Sequence, residues 1–189
     1  MDDYADSVRR RVVDKIREAL GGEVLADQLT GKTPFVETSP SGVPTFGKRL
    51  SDRDHMIVAL GRGRSPQAVP VLLAEVSRLK PSDDPGHVRA VALACESLAV
   101  PDLAPALAKA LSEPGVRGWA RSGSKRFEKG GGYGGNYREE IRLPLNELNL
   151  ARALLRCGDQ DGLARRVFES YLYDRRGVFV RHARQQLGL

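Results

Sequence analysis

The sequence is poor in the residue types that define several classes of protein. It has two cysteines, and only 6% of its 189 residues are aromatic. Two cysteines exclude a disulfide-based scaffold and suit a reducing compartment, and the few aromatic residues imply an aliphatic core. No apolar run reaches the roughly 18 residues that a membrane span requires, and the acidic first residues lack the apolar segment of a signal peptide. We therefore expect a cytoplasmic, bacterial-type protein without membrane contact.

Charge is divided unequally along the chain. Residues 1–114 carry 15 Lys and Arg against 16 Asp and Glu, whereas residues 115–189 carry 15 against eight. The net charge of +6 therefore comes from the C-terminal part. Most basic residues are arginine, which makes bidentate contacts with carboxylates and phosphates. Either this part binds an acidic partner or it presents a solvated basic face.

Apolar residues recur at helical spacing through most of the chain, and no segment sustains the alternation of a strand. Residues 1–50 comprise an amphipathic helix and then a Pro- and Gly-rich loop. Residues 51–189 hold short apolar stripes, and capping signals precede several of those before residue 112. The sequence therefore predicts an all-α fold.

The capping signals place the helix starts. Ser51 begins a capping box, and Ser65 and Asp84 each precede a proline, as N-cap residues do. A further helix is predicted to follow Asp102. The short connections between these helices imply antiparallel neighbours.

The helices also repeat. Residues 57–60 match residues 90–93 at a shift of 33, and residues 69–72 match residues 104–107 at a shift of 35. A third copy follows after extra chain, so we expect an insertion at about residues 115–142. A two-helix repeat of this length is typical of an α-solenoid, in which each pair covers the apolar face of the next. The core positions expected from this register are Leu60, Leu72, Leu93, Leu107 and Leu154.

Residues 59–61 and 65–73 resemble the HEAT-like repeats of bilin-lyase type, and the resemblance covers about residues 51–189. It implies antiparallel helix pairs that form a right-handed superhelix. Residues 149–159, 173–177 and 181–184 resemble the C-terminal helical region of certain bacterial FAD-dependent oxidoreductases. Those enzymes carry a flavin-binding domain ahead of that region, and this chain has no such domain. The resemblance therefore implies either the helical region alone or a free-standing relative of it.

No motif predicts a cofactor, a metal or catalysis. Residues 26–33 imitate a phosphate loop and residues 130–135 a dinucleotide fingerprint, but neither has the strand before it or the helix after it that phosphate binding requires. The three histidines are scattered, without the paired ligands of a metal site. Asp52, Asp54 and His55 form a candidate acid–base cluster, but the capping box already explains Asp54.

Basic and aromatic residues interleave in the glycine-rich insertion, and we take them as the candidate partner-binding residues. This composition suits an acidic protein surface, and equally a disordered insertion with a few rings packed against the helices. It also suits nucleic acid, in which cations meet phosphates and rings stack on bases. The candidates are Arg117, Trp119, Arg121, Lys125, Arg126, Phe127, Lys129, Tyr133, Tyr137 and Arg138.

The sequence favours a non-catalytic helical-repeat scaffold for protein–protein interaction, including the role of accessory domain to a flavoenzyme. The alternative is a nucleic-acid-binding module, or a HEAT-like DNA glycosylase that uses the basic C-terminal part. We expect no cofactor in either case.

Overall fold

The computed structural model describes residues 50–121, 136–159 and 161–189, with only the main chain for residues 136–141. The described residues form seven α-helices and contain no strand, which confirms the all-α prediction for this part of the chain. The helices are α1 (Asp52–Arg62), α2 (Ala68–Arg78), α3 (Pro85–Leu98), α4 (Ala104–Ser112), α5 (Asn136–Gly158), α6 (Leu163–Tyr171) and α7 (Gly177–Leu187), and a 3₁₀ turn over Pro101–Leu103 precedes α4. The amphipathic helix and the loop predicted before residue 50 lie outside the described residues.

Two of the predicted helix starts are confirmed. The Ser51 side chain accepts a hydrogen bond from the Asp54 N–H, and the Asp54 carboxylate accepts one from the Ser51 N–H, which completes the capping box of α1. At α3, the Asp84 side chain accepts from the Gly86 N–H at 2.8 Å. Both caps satisfy main-chain donors that have no partner within the first turn of a helix.

The start of α2 was predicted wrongly, since this helix begins at Ala68 and Ser65 is not its N-cap, whereas α4 follows Asp102 as predicted, after a 3₁₀ turn. After Ser65 the chain makes a tight turn in which the Ala68 N–H donates to the Ser65 carbonyl at 2.9 Å. Asp102 lies inside the 3₁₀ turn, where the Leu103 N–H donates to the Val100 carbonyl at 3.2 Å. In both places a turn with i to i+3 hydrogen bonds leads into the helix.

Helices α1, α3 and α5 lie side by side in this order. Helix α1 packs on α3 and α3 packs on α5, while α2 contacts α4, and α6 contacts both α5 and α7. Small residues allow the close approach of α1 and α3, because a Cβ atom built on Gly61 would overlap the main chain of Ala94. Both cysteines are buried, Cys95 on α3 and Cys157 on α5, and Cys157 Sγ donates to the Cys95 carbonyl at 3.5 Å.

The core is largely aliphatic, as the composition predicts. Of the five expected core leucines, Leu60, Leu72, Leu107 and Leu154 are buried, whereas Leu93 is only half-buried. Helix α3 lies between α1 and α5, and its fully buried residues are mostly small. They are Ala90, Val91, Ala92, Ala94 and Cys95. Leu93 therefore does not take the core position that the repeat register assigns to it.

Both ends of the predicted insertion are part of the packed fold. Helix α5 begins at Asn136 and runs for 23 residues through the predicted third repeat. At the other end, residues 116–121, which we call the strap, are hydrogen-bonded to α5 and to the turn between α6 and α7. Residues 122–135 lie outside the described residues.

Candidate interaction surface

The ten candidate residues fall into three groups in the structure. Arg117, Trp119 and Arg121 lie in the strap, and Tyr137 and Arg138 lie in the first turn of α5, where only the main chain is described. The remaining candidates are outside the described residues. They are Lys125, Arg126, Phe127, Lys129 and Tyr133.

A buried carboxylate on α5 holds one end of the strap. Glu147 is 1% exposed, and its two oxygens accept hydrogen bonds from the Gly118 N–H at 2.8 Å and the Trp119 N–H at 3.0 Å. Gly118 has a φ of 95°, a left-handed value that glycine adopts without strain. Two successive main-chain donors can therefore point at the same carboxylate.

The same carboxylate also joins α5 to α6. The Tyr171 hydroxyl donates to Glu147 Oε2 at 2.6 Å. Burial, and next the negative charge of Glu147, raise the pKa of Tyr171, so its hydroxyl stays protonated and remains a donor. One side chain thus ties the strap, α5 and α6 together.

A second buried carboxylate holds the other end of the strap. Asp174, in the turn between α6 and α7, accepts from the Arg121 N–H at 2.7 Å. It also accepts from Nε and Nη2 of Arg176 at 2.8 and 2.7 Å, a bidentate pair. Burial raises the pKa of Asp174, but these hydrogen bonds outweigh burial and hold that pKa below its ordinary value.

Arg176 extends this second contact to the strap main chain and to α7. Its Nη2 donates to the Trp119 carbonyl at 2.8 Å, and its guanidinium lies 4.5 Å from the centroid of the Phe179 ring. The Arg175 N–H donates to the Arg121 carbonyl at 3.1 Å. The main chain of the strap is therefore bonded to both buried carboxylates and to Arg176, and the Val116 side chain at its start is buried in the core.

Exposed side chains surround this anchored segment. Arg117, Arg121 and Arg175 are exposed, Tyr173 is 77% exposed and Val178 is 59% exposed. Trp119 is half-buried, and its indole N–H donates to the Gly115 carbonyl at 3.0 Å. We define the C-terminal surface as these exposed residues together with two exposed arginines on α7. Its members are Arg117, Arg121, Tyr173, Arg175, Val178, Arg181 and Arg184.

The residues that build this anchor were not predicted from the sequence. Residues 173–177 stood out only as part of the resemblance to a helical region, and nothing singled out Glu147 or Tyr171. A signal was nevertheless present, because Glu147 is a charged residue in the apolar stretch 143–151. A carboxylate in such a position is rarely buried without partners.

The capping box that the sequence favoured over an acid–base cluster is present, and Asp54 pairs with a histidine other than His55. Asp52 and His55 are exposed, whereas buried Asp54 lies 2.7 Å from Nδ1 of His87 on α3. The hydrogen bond to Asp54 raises the pKa of His87, and its effect outweighs that of burial, which lowers this pKa. Burial raises the pKa of Asp54, but the hydrogen bonds from His87 and Ser51 hold it below its ordinary value. The pair links α1 to α3.

A second polar contact spans the stacked helices. Nε of Arg152 on α5 lies 2.7 Å from Oε2 of Glu96 on α3, as an ion pair outside hydrogen-bond geometry. Burial, and then the charge of Arg152, lower the pKa of His182 on α7.

Burial raises the pKa of Cys157 to about 11, so this thiol stays protonated at neutral pH and is a poor nucleophile or metal ligand.

A small cavity of about 10 Å³ lies between the loop after α2 and helix α5. Buried Asn146 is among the residues that line it, and Oδ1 of Asn146 has no hydrogen-bond partner among the described residues. This volume corresponds to about one water molecule. In the part of the chain that the structure describes, no cluster of three potential metal ligands occurs. None of the helices described here combines the length and apolarity of a membrane span.

Comparison of the chain with protein-family models, with curated proteins and with solved structures found no match.

Proposed function

We propose that this chain is a non-catalytic, HEAT-like helical-repeat scaffold that binds a partner protein through its C-terminal surface. The observation that carries the proposal is the anchoring of the strap by two buried carboxylates, Glu147 and Asp174. They hold Trp119 and Arg121 at fixed positions beside the turn between α6 and α7. A preformed surface loses less conformational entropy on binding than a mobile one.

The repeat architecture is supported by the order of helix contacts. In a solenoid of helix pairs, each first helix contacts the first helices of the neighbouring pairs, and α1, α3 and α5 make these contacts. The equivalent positions of Cys95 and Cys157, and the packing of Gly61 against Ala94, agree with this arrangement.

The protein-binding role is supported by how the anchor distributes charge. Residues 142–189 contain nine arginines and five acidic residues, but Glu147 and Asp174 are buried and fully engaged with donors. The surface is therefore more basic than the sequence count suggests. Arginine and tyrosine are enriched at protein interfaces, whereas lysine is depleted, and no lysine follows Lys129.

The proposal is tested by capture from extracts of the cells that encode the chain. We compare the wild type with the charge reversals Arg181→Glu and Arg184→Glu made together. The matched control is Arg62→Glu with Arg89→Glu. Arg89 and Arg181 are each the fifth residue of their helix, and Arg62 and Arg184 each lie in a last turn.

The wild type and the control should capture the same protein after nuclease treatment, and the α7 variant should lose it. Capture that disappears with nuclease would favour nucleic acid and contradict the proposal, as would equal loss in both double variants. Flavin fluorescence of the captured protein would identify the partner as a flavoenzyme, which the resemblance suggests.

A further inference from the structure

The exposed face of α7 has a composition that suits one kind of ligand. Val178, Arg181, Arg184 and Gln185 are all exposed and recur at helical spacing, so they form one stripe along α7. Each step from Val178 to Arg181 and on to Arg184 advances about 4.5 Å along the helix axis. The stripe thus combines one aliphatic side chain with two cations.

These two cations are not neutralised within the described part of the chain. Neither Arg181 nor Arg184 forms an ion pair there, and residues 175–189 contain no Asp or Glu. The nearest preceding carboxylate is Asp174, which is buried and bound bidentately by Arg176. A ligand that brings carboxylates or phosphates to this stripe would supply the missing counter-charges.

Apolar side chains at the same place favour a peptide over nucleic acid. Tyr173 and Val178 flank the start of α7 and are mostly exposed. An aromatic ring could stack on a base, but an aliphatic side chain gains little beside a phosphate backbone and readily packs on another aliphatic side chain. The stripe therefore matches a ligand that carries both acidic and apolar side chains.

On the basis of the proposed function, we infer that the C-terminal surface binds an acidic peptide segment of the partner, in which carboxylates alternate with aliphatic side chains. The carboxylates pair with Arg181 and Arg184, and an aliphatic side chain packs between Tyr173 and Val178. Binding of this kind depends on charge for orientation and on apolar burial for affinity.

The test uses the full chain and three fluorescent probes of equal net charge. The first probe is a peptide in which pairs of Glu alternate with Leu, the second is a peptide of Glu and Ser, and the third is an oligothymidylate. The binding of each probe is measured by fluorescence anisotropy at two salt concentrations. We expect the Glu–Leu peptide to bind most tightly. The charge reversals Arg181→Glu and Arg184→Glu together should weaken the affinity for the Glu–Leu peptide about tenfold or more.

Two variants keep the inference falsifiable. Val178→Ala should weaken the affinity for the Glu–Leu peptide several-fold, because it truncates an apolar contact. It should leave the affinity for the Glu–Ser peptide unchanged. Arg62→Glu with Arg89→Glu should leave all three probes bound as by the wild type. Tighter binding of the oligothymidylate, or equal weakening by the two double reversals, would overturn the inference.

The two proposals can fail separately. Loss of the captured protein on reversal of Arg181 and Arg184, without binding of the Glu–Leu peptide by the wild type, would uphold the scaffold and overturn the acidic peptide. Binding of the peptide without a captured protein would uphold the ligand class and contradict the scaffold.

Discussion

Glu147 accounts for much of the organisation of the C-terminal third. It is buried on α5 and accepts hydrogen bonds from the strap and from α6, so three segments of the chain depend on one carboxylate. A buried carboxylate is costly unless its oxygens are satisfied by donors. Here the donors are two main-chain N–H groups and one hydroxyl, all within 3.0 Å.

Removal of this carboxylate should destabilise the protein strongly. Glu147→Ala leaves the buried Tyr171 hydroxyl and two main-chain donors without an acceptor, so it should cost about 2–4 kcal/mol of unfolding free energy. Tyr171→Phe removes one donor and should cost about 1–2 kcal/mol. Chemical denaturation measures both values.

The control is Glu113→Ala at an exposed position, which should change the unfolding free energy by less than about 0.5 kcal/mol. A double-mutant cycle should show that Glu147→Ala and Tyr171→Phe are not additive, since both remove the same hydrogen bond. If Glu147→Ala costs no more than Glu113→Ala, the carboxylate does not hold the strap.

At the scale of helices, the contact between α1 and α3 depends on the absence of a side chain. Gly61→Ala would place a Cβ on the main chain of Ala94, so the helices must separate. Overpacking of this kind should cost about 1–3 kcal/mol. The melting temperature should fall accordingly in thermal unfolding.

The matched control for this change is Gly177→Ala. Gly177 begins α7 and has open space where the new Cβ would lie, so the substitution should be neutral or stabilise by up to about 1 kcal/mol. Equal effects of the two substitutions would show that α1 and α3 do not pack closely at Gly61.

The Asp54–His87 pair should make the contact between α1 and α3 depend on pH. Because the folded-state pKa of His87 lies above its ordinary 6.5, the stabilisation is fully present below pH 6.5 and is lost as pH rises through the folded pKa. The Asp54 contribution is present above the ordinary 3.8 and is lost as pH falls through its lowered folded pKa. Glu75 and Asp83 also raise the pKa of His87.

His87→Gln should therefore remove the part of the stability loss that the wild type shows as pH rises above 6.5 and through the folded-state pKa of His87. Urea denaturation at each pH measures this difference. His55→Gln, at an exposed histidine, should follow the wild-type curve. A His87→Gln curve parallel to that of the wild type across this range would contradict the role of the pair.

How far the sequence predicts these elements depends on the range of the interaction. The caps at Ser51 and Asp84 are local, so sequence patterns identify them. The partners Asp54 and His87 are separated by 33 residues, the repeat shift itself, and a search across the repeat could have found them. The contact of Glu147 with Gly118 spans 29 residues without any periodic signal, so the sequence does not reveal it.

The molecule as a whole divides into a nearly neutral part and a basic part. The described residues before the strap carry balanced charge, whereas the last three helices carry an excess of arginine. The sequence alone predicts this asymmetry, but only the structure shows that two of the C-terminal carboxylates are buried in the anchor of the strap. With Glu147 and Asp174 buried, the exposed arginines of the C-terminal surface have fewer carboxylates beside them at the surface than the sequence count suggests.

The most direct test of the central claim is site-specific photocrosslinking in the cells that encode the chain. A photoreactive phenylalanine analogue replaces Tyr173, which is 77% exposed and is therefore replaceable without loss of packing, and in a second strain it replaces exposed Arg62 on α1. The account predicts a discrete protein adduct from position 173 and none from position 62. An adduct from position 62 alone, or adducts of equal yield from both positions, would contradict binding through the C-terminal surface.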